Sequence, residues 1–166
     1  SKIILYNFSK LGGYAFTTEL TRRLINDFPK NIIGMKDSTG NLWNNFKAEN
    51  FSMFVGSEKK LLEGLKLGAA GCISATTNIT GSLAKQVYDD FYKSGNSSVN
   101  EKLQILRTIF DDTGNLISAV HTFKSLENKI YQNLLPPLAL LNDSKKDEMI
   151  KKLKNLNFLP KKNIAA

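Results

Sequence analysis

Four short apolar runs recur through the first half of the chain and limit its fold more than any other feature: Ile3-Ile4-Leu5-Tyr6, Ile32-Ile33-Gly34-Met35, Met53-Phe54-Val55-Gly56 and Gly71-Cys72-Ile73-Ser74. Each is too short for a helix and reads as a strand buried on both faces. Helical spacing fills the intervals: Leu20, Leu24 and Phe28, then Leu61, Leu62 and Leu65 after Ser57, then Leu83, Val87 and Phe91 after Thr80. This βαβαβαβα rhythm predicts parallel strands with helices outside, because a parallel pair needs a long crossover. From about Val99 the pattern is helical alone. One helix carries Leu103, Leu106 and Phe110, a second runs around Ala119 to Tyr131, and a last follows Asn142, set off by Pro136-Pro137, which cannot continue a helix. The domain organisation expected is βα repeats over 1–97 and C-terminal helices over 98–166, with "SGNSS" (94–98) as a loop between them.

Composition narrows the function. The chain has 166 residues, 42% hydrophobic and 23% charged, enough for one globular domain with a core. No run of about eighteen apolar residues is present, and "SKIILYN" lacks the form of a signal peptide, so the expected compartment is the cytoplasm and no membrane partner is expected. One cysteine, Cys72, excludes an internal disulfide, and with a single histidine, His121, no zinc-type ligand set can be assembled. The net charge of +8 suggests nucleic acid, but 20 of the 23 basic residues are Lys, whereas base and phosphate recognition favours the Arg fork. Seven of those Lys fall between Lys145 and Lys162 around Met149, Ile150, Leu153 and Leu156, the pattern of an amphipathic helix with a solvated face. No nucleic-acid partner is expected.

The stretch "NIIGMKDSTG" (31–40) ends a buried strand on an ammonium group. All four runs end in polar or small groups: Tyr6-Asn7, Lys36-Asp37, Gly56-Ser57 and Ser74 to Asn78. In parallel α/β folds ligands meet the chain at the carboxyl ends of strands, so these groups converge on one mouth and Lys36 faces Tyr6. A lysine desolvated at such a mouth is partly neutral near pH 7 and can attack a ketone carbonyl, while a tyrosine hydroxyl beside it relays a proton. The competing reading has Lys36 snorkelling to solvent and Tyr6 simply packing. Spacing alone does not choose between them.

"LYNFSKLGG", followed some thirty residues later by "IIGMKDSTG", then by "FVGSEKKLLEGLKLGAAGCISATTNI" and a late "LPPL", resembles the pyruvate-dependent, Schiff-base class I aldolase superfamily of dihydrodipicolinate synthase and N-acetylneuraminate lyase. The resemblance implies an α/β fold of the (β/α)₈ TIM barrel family, this chain covering the C-terminal half (strands 5–8) plus extra C-terminal helices. It implies that Lys36, the lysine of G-x-K-D, forms an imine with a 2-keto acid, and that Tyr6 relays protons. Gly56 and Ile73, with Ser38 beside the lysine motif, fall where that family lines its substrate pocket. No metal or organic cofactor is implied, since the imine on Lys36 is itself the electron sink.

Departures refine the expectation. Leu11 stands where the synthase branch carries an arginine that holds a carboxylate, and a leucine cannot replace that bidentate partner. This favours the lyase and 2-keto-3-deoxy-sugar-acid aldolase branches over the synthase. Glu58 falls where a sugar hydroxyl could be bound, although an exposed glutamate in a first helical turn reads the same way. Four strands do not close an eight-stranded barrel, and the family's N-terminal G-T-T/S loop for the keto-acid carboxylate is absent from the sequence. The expected function is therefore aldol cleavage or condensation on a 2-keto acid with an aldehyde partner, once the barrel is completed by its N-terminal half or by a second copy in a homo-oligomer. A 2-keto-3-deoxy sugar acid dehydratase or dihydrodipicolinate synthase using the same imine, and a non-catalytic 2-keto-acid-binding module, are the alternatives.

Overall fold

A computed structural model describes residues 1–160, which form two compact units. The first comprises Ser1–Ser74 and Ser82–Asn100, the second Ala75–Gly81 and Glu101 onward. Lys161 and Lys162 of the lysine-rich segment lie outside the described residues.

The first unit holds four parallel strands, β1 (Ile3–Asn7), β2 (Ile32–Asp37), β3 (Ser52–Val55) and β4 (Gly71–Cys72), in the order β1-β2-β3-β4. The apolar runs thus became strands within one or two residues of their expected ends. Helix α1 (Ser9–Gly12) is a single turn. Helix α2 (Thr18–Asp27) begins where the Thr17 hydroxyl accepts from Leu20 N–H, satisfying one of the donors a helix start leaves open. A 3₁₀ turn (Glu58–Lys60) leads into α3 (Leu61–Lys66), and α4 (Thr77–Ser94) follows β4.

Two expectations are corrected here. The crossover from β2 to β3 (38–51) contains no helix, although α2, α3 and α4 stand at the other three places. Leu42, Trp43 and Phe46 occupy the space a helix would fill, buried with Phe16, Met35, Met53, Val55 and Ala69 in one cluster. Nor is the sheet buried on both faces. Side chains alternate along a strand, and one alternate set, Leu5, Met35, Met53 and Val55, meets that cluster, with Leu20, Leu24 and Ile25 of α2 against it. The other set is less covered, most of all on the edge strand β1, where Ile4 is 43% and Tyr6 48% exposed, while Lys36 and Phe54 are half-buried. Cys72 is half-buried against the core side.

The second unit is helical: α5 (Asn100–Asp111), α6 (Leu116–Lys124) and α7 (Asp143–Asn155). Leu103, Leu106, Phe110, Phe123, Met149 and Leu153 are buried, and the Phe110 and Phe123 rings meet edge to face at 5.8 Å. The helix expected around Ala119 to Tyr131 starts earlier, capped by Asn115, and stops at Lys124. Asn128 then accepts from Ile130 N–H and starts a separate 3₁₀ turn, Lys129–Gln132. On α7 the Asn142 side chain caps the N-terminus, Met149 and Leu153 face inward, and Lys152 is ion-paired with Glu148 (2.9 Å) and Asp112 (3.6 Å). No described helix is long and apolar enough to cross a membrane.

Candidate active site

Parallel register sets the arrangement at the carboxyl end of the sheet. Tyr6 on β1 stands opposite Lys36 on β2, which stands opposite Phe54 on β3, all on the open face. Lys36 is half-buried, and its Nζ lies 3.9 Å from the centroid of the Tyr6 ring. That is a cation–π contact, in which the ammonium rests on the negative face of the ring. The spacing that suggested a lysine facing a tyrosine is realised, with the ring face as the point of contact.

The next residue along each strand points the other way. Asn7 and Asp37 are opposite each other in the register and are 0% and 1% exposed. Asn7 Nδ2 donates to Asp37 Oδ1 at 3.0 Å and faces Thr39 Oγ1 (3.1 Å) and Asn41 Oδ1 (2.9 Å). Its Oδ1 accepts from Phe16 N–H at 3.0 Å. The Asp37 carboxylate collects the Thr39 N–H and hydroxyl on Oδ1, at 2.9 and 2.7 Å, and the Leu42 and Trp43 N–H groups on Oδ2, at 2.8 and 3.0 Å. Desolvation is the largest single influence on this carboxyl and pushes its pKa up. The hydrogen bonds from the Thr39 hydroxyl and from the Leu42, Trp43 and Thr39 N–H groups together outweigh it and hold the pKa below the usual value. A buried carboxylate is tolerated here because its oxygens are satisfied by donors.

The remaining expected site residues fall into three places. Ser38 and Gly56 lie against each other at the ends of β2 and β3, so closely that a Cβ on Gly56 would overlap Ser38 Oγ and lie 2.7 Å from Ser38 Cα. Ile73 is held just beyond β4 by its N–H to Val55 O at 3.0 Å and is 38% exposed. Glu58, rather than lying exposed in a first turn, is fully buried, and the Ser74 hydroxyl donates to its Oε2 at 2.5 Å. Leu11 sits on α1 and is 78% exposed.

The Asn7–Asp37 pair belongs to the site beyond the residues expected from the sequence. Its signal was in the sequence: an Asx residue ending each of two neighbouring apolar runs, the second leading into Ser-Thr-Gly, where a carboxylate takes up backbone N–H groups of the following turn. Among the described residues no group of His, Cys, Asp and Glu is placed to hold a metal ion.

Comparison with known proteins agrees with this architecture. The chain is 29% identical over 171 residues to the probable 2-dehydro-3-deoxy-D-pentonate aldolase of Escherichia coli K12, covering 95% of this chain and 56% of that protein. It is 32% identical over 172 residues to the 4-hydroxy-tetrahydrodipicolinate synthase of Buchnera aphidicola subsp. Cinara cedri, with coverage of 95% and 55%. The chain therefore spans about half the length of these relatives. Among solved structures, an Escherichia coli K12 prophage protein of the dihydrodipicolinic acid synthase family, in complex with pyruvate, superposes with a TM-score of 0.76 at 22% identity, over 95% of this chain and 56% of that one. The four-stranded parallel sheet with its outer helices is thus part of a (β/α)₈ barrel. The model of the dihydrodipicolinate synthetase family matches residues 1–156, from the first strand through the last described helix, and the chain belongs to that family.

Proposed function

We propose that this chain carries the imine-forming half of a class I aldolase or related lyase, acting on pyruvate or another 2-keto acid. The observation that carries the proposal is the placement of Lys36 across from Tyr6 on the open face at the carboxyl end of the sheet. The Lys36 amine adds to the C2 carbonyl of the keto acid, and the carbinolamine loses water to give a protonated imine. The imine nitrogen then accepts the electron pair of the breaking C3–C4 bond, releasing an aldehyde, and the resulting enamine is protonated and hydrolysed to return the amine and free keto acid. Tyr6 supplies and takes up the protons of these steps by its hydroxyl, after rotation of the two side chains out of the ring-face contact. The needed electron sink is the imine itself, so the scheme calls for no metal or organic cofactor. Gly56, Ser38 and Ile73 line the approach to Lys36.

Leu11 in place of an anion-binding arginine supports a 2-keto-3-deoxy sugar acid or an N-acetylneuraminate-like substrate over the synthase reaction. A dehydratase on a 2-keto-3-deoxy sugar acid would use the same imine. The open face of the sheet supports completion of the site by the N-terminal half of the same barrel, or by a second copy of the chain. That same open face favours one reading of another class, a 2-keto-acid-binding module without turnover.

Incubation with pyruvate and borohydride, together with any N-terminal half, tests the proposal. Reduction should fix the keto acid on Lys36, detected by peptide mass spectrometry. Modification at another lysine, or none in a completed barrel, overturns the imine scheme, and pyruvate binding without trapping assigns the chain to the binding module.

A further inference from the structure

We infer that Asn7 and Asp37 are a positioning pair, which sets from the covered face of the sheet the separation and aim of Tyr6 and Lys36 on the open face. The inference rests on the imine reading of Lys36 for its functional meaning, though not for its geometry. Adjacent residues of a strand share a rigid peptide unit and project to opposite faces. Whatever fixes Asn7 against Asp37 therefore fixes Tyr6 against Lys36, one residue earlier in both strands.

The two faces are held very differently. On the open face Tyr6 is nearly half exposed and meets the Phe8 ring at 5.6 Å and the Lys36 ammonium. On the covered face the strand ends are joined side chain to side chain at 3.0 Å, and each partner is tied to a further segment. Asn7 takes the Phe16 N–H, which anchors the loop ahead of α2. Asp37 takes the Leu42 and Trp43 N–H groups, which anchors the crossover that replaces a helix. Thr39 joins the two, since its hydroxyl meets both Asp37 Oδ1 and Asn7 Nδ2. Hydrogen bonds to a buried carboxylate are strong and directional, and a satisfied network of them is stiff. The last ladder bonds here, Ser38 N–H to Asn7 O (2.9 Å) and Gly56 N–H to Asp37 O (2.8 Å), end where this clamp begins. Beyond them the backbone turns away, so the side-chain clamp joins these last rungs in keeping the strand ends from splaying.

A readout independent of turnover is available in the chain itself. The Lys36 side chain lies over the Tyr6 ring, so its ε-CH₂ protons should be shifted upfield by the ring current, with Tyr6→Leu defining zero. In Asp37→Asn and in Asn7→Ala that shift should fall by about half or more. Where the barrel is complete, trapping of pyruvate on Lys36 should slow by roughly 10-fold or more, the scale expected when a reacting group is misplaced by a fraction of an ångström. Leu62→Ala, a buried substitution on α3 away from the network, should lower stability and leave the shift in place. If Asp37→Asn does not fold, Thr39→Val, which removes only the bridging hydroxyl, should still give a partial loss. An unchanged shift in every network variant that folds, or an equal loss in Leu62→Ala, overturns the inference. A wild-type chain that shows the shift and the losses but never traps pyruvate in a completed barrel retires the imine scheme and leaves the positioning pair standing.

Discussion

A methyl group added at Gly56 tests the close approach of β3 to the residue after the candidate nucleophile. The Cβ of Gly56→Ala would overlap Ser38 Oγ and lie 2.8 Å from Ser38 Cβ and 2.7 Å from Ser38 Cα. The hydroxyl can rotate away, but the Cα is backbone. To restore ordinary contact, 3.4 Å or more, the ends of β2 and β3 must part by roughly 0.7 Å. That separation stretches the Gly56 N–H to Asp37 O bond, now 2.8 Å, at the last rung of the ladder. Overpacking of this kind costs about 1–3 kcal/mol. At roughly 2–4 °C per kcal/mol for a chain of this length, the calorimetric midpoint should fall by about 2–12 °C. A second substitution apportions the strain. Ser38→Ala removes the hydroxyl overlap alone and should restore little stability to Gly56→Ala, whereas Ser38→Gly also removes the Cβ contact and should restore more, though not all. A Gly56→Ala chain as stable as the parent would refute the contact, and full rescue by Ser38→Ala would place the strain in the side chain rather than the backbone.

Two further outcomes follow from features already described. The pKa of Asp37 is depressed in the folded chain, so the stability it contributes is complete above the unfolded carboxylate value, about 3.9, and is lost as pH falls through its lower folded value. The difference in urea midpoint between the parent and Asp37→Asn should therefore be constant near neutrality and shrink as pH falls below about 4, and a gap that instead widens as pH falls through that range would show that the carboxylate is not held ionised by the fold. The open sheet face predicts association with a complementary half-barrel or with a second copy, since burying it would gain about 25 cal/mol per Å² of apolar area. Sedimentation at roughly micromolar concentration should show this, and a sharp 18.5 kDa monomer with cooperative unfolding would contradict it.

The strands were legible because four apolar runs of the right length leave few alternatives, and the register that sets Tyr6 beside Lys36 follows once those strands are parallel neighbours. The chemistry around Glu58 was less so. A charged residue in a first helical turn reads as solvated, and its burial depends on Ser74, sixteen residues on, which no local pattern links to it. The crossover at 38–51 was illegible for a related reason. Leu42, Trp43 and Phe46 fill the space of a helix without helical spacing, because a carboxylate at Asp37 rather than an intrahelical ladder satisfies the local N–H groups. The less covered face was legible from the strand count, since four strands do not close a barrel, and not from the strands themselves, since residues that await a partner are as apolar as residues that have one.

Strand order that repeats sequence order has a consequence for how the sheet assembles. Each pairing closes a loop between consecutive strands, and the three loops differ in length by less than twofold. Loop-closure entropy changes by only about 0.6 kcal/mol per doubling, so it barely ranks the three events. What ranks them is the length of ladder gained, five paired positions for β1 with β2, four for β2 with β3 and two for β3 with β4. The folding nucleus should therefore form at the pair that carries Tyr6 and Lys36, with the sheet growing away from it toward β4.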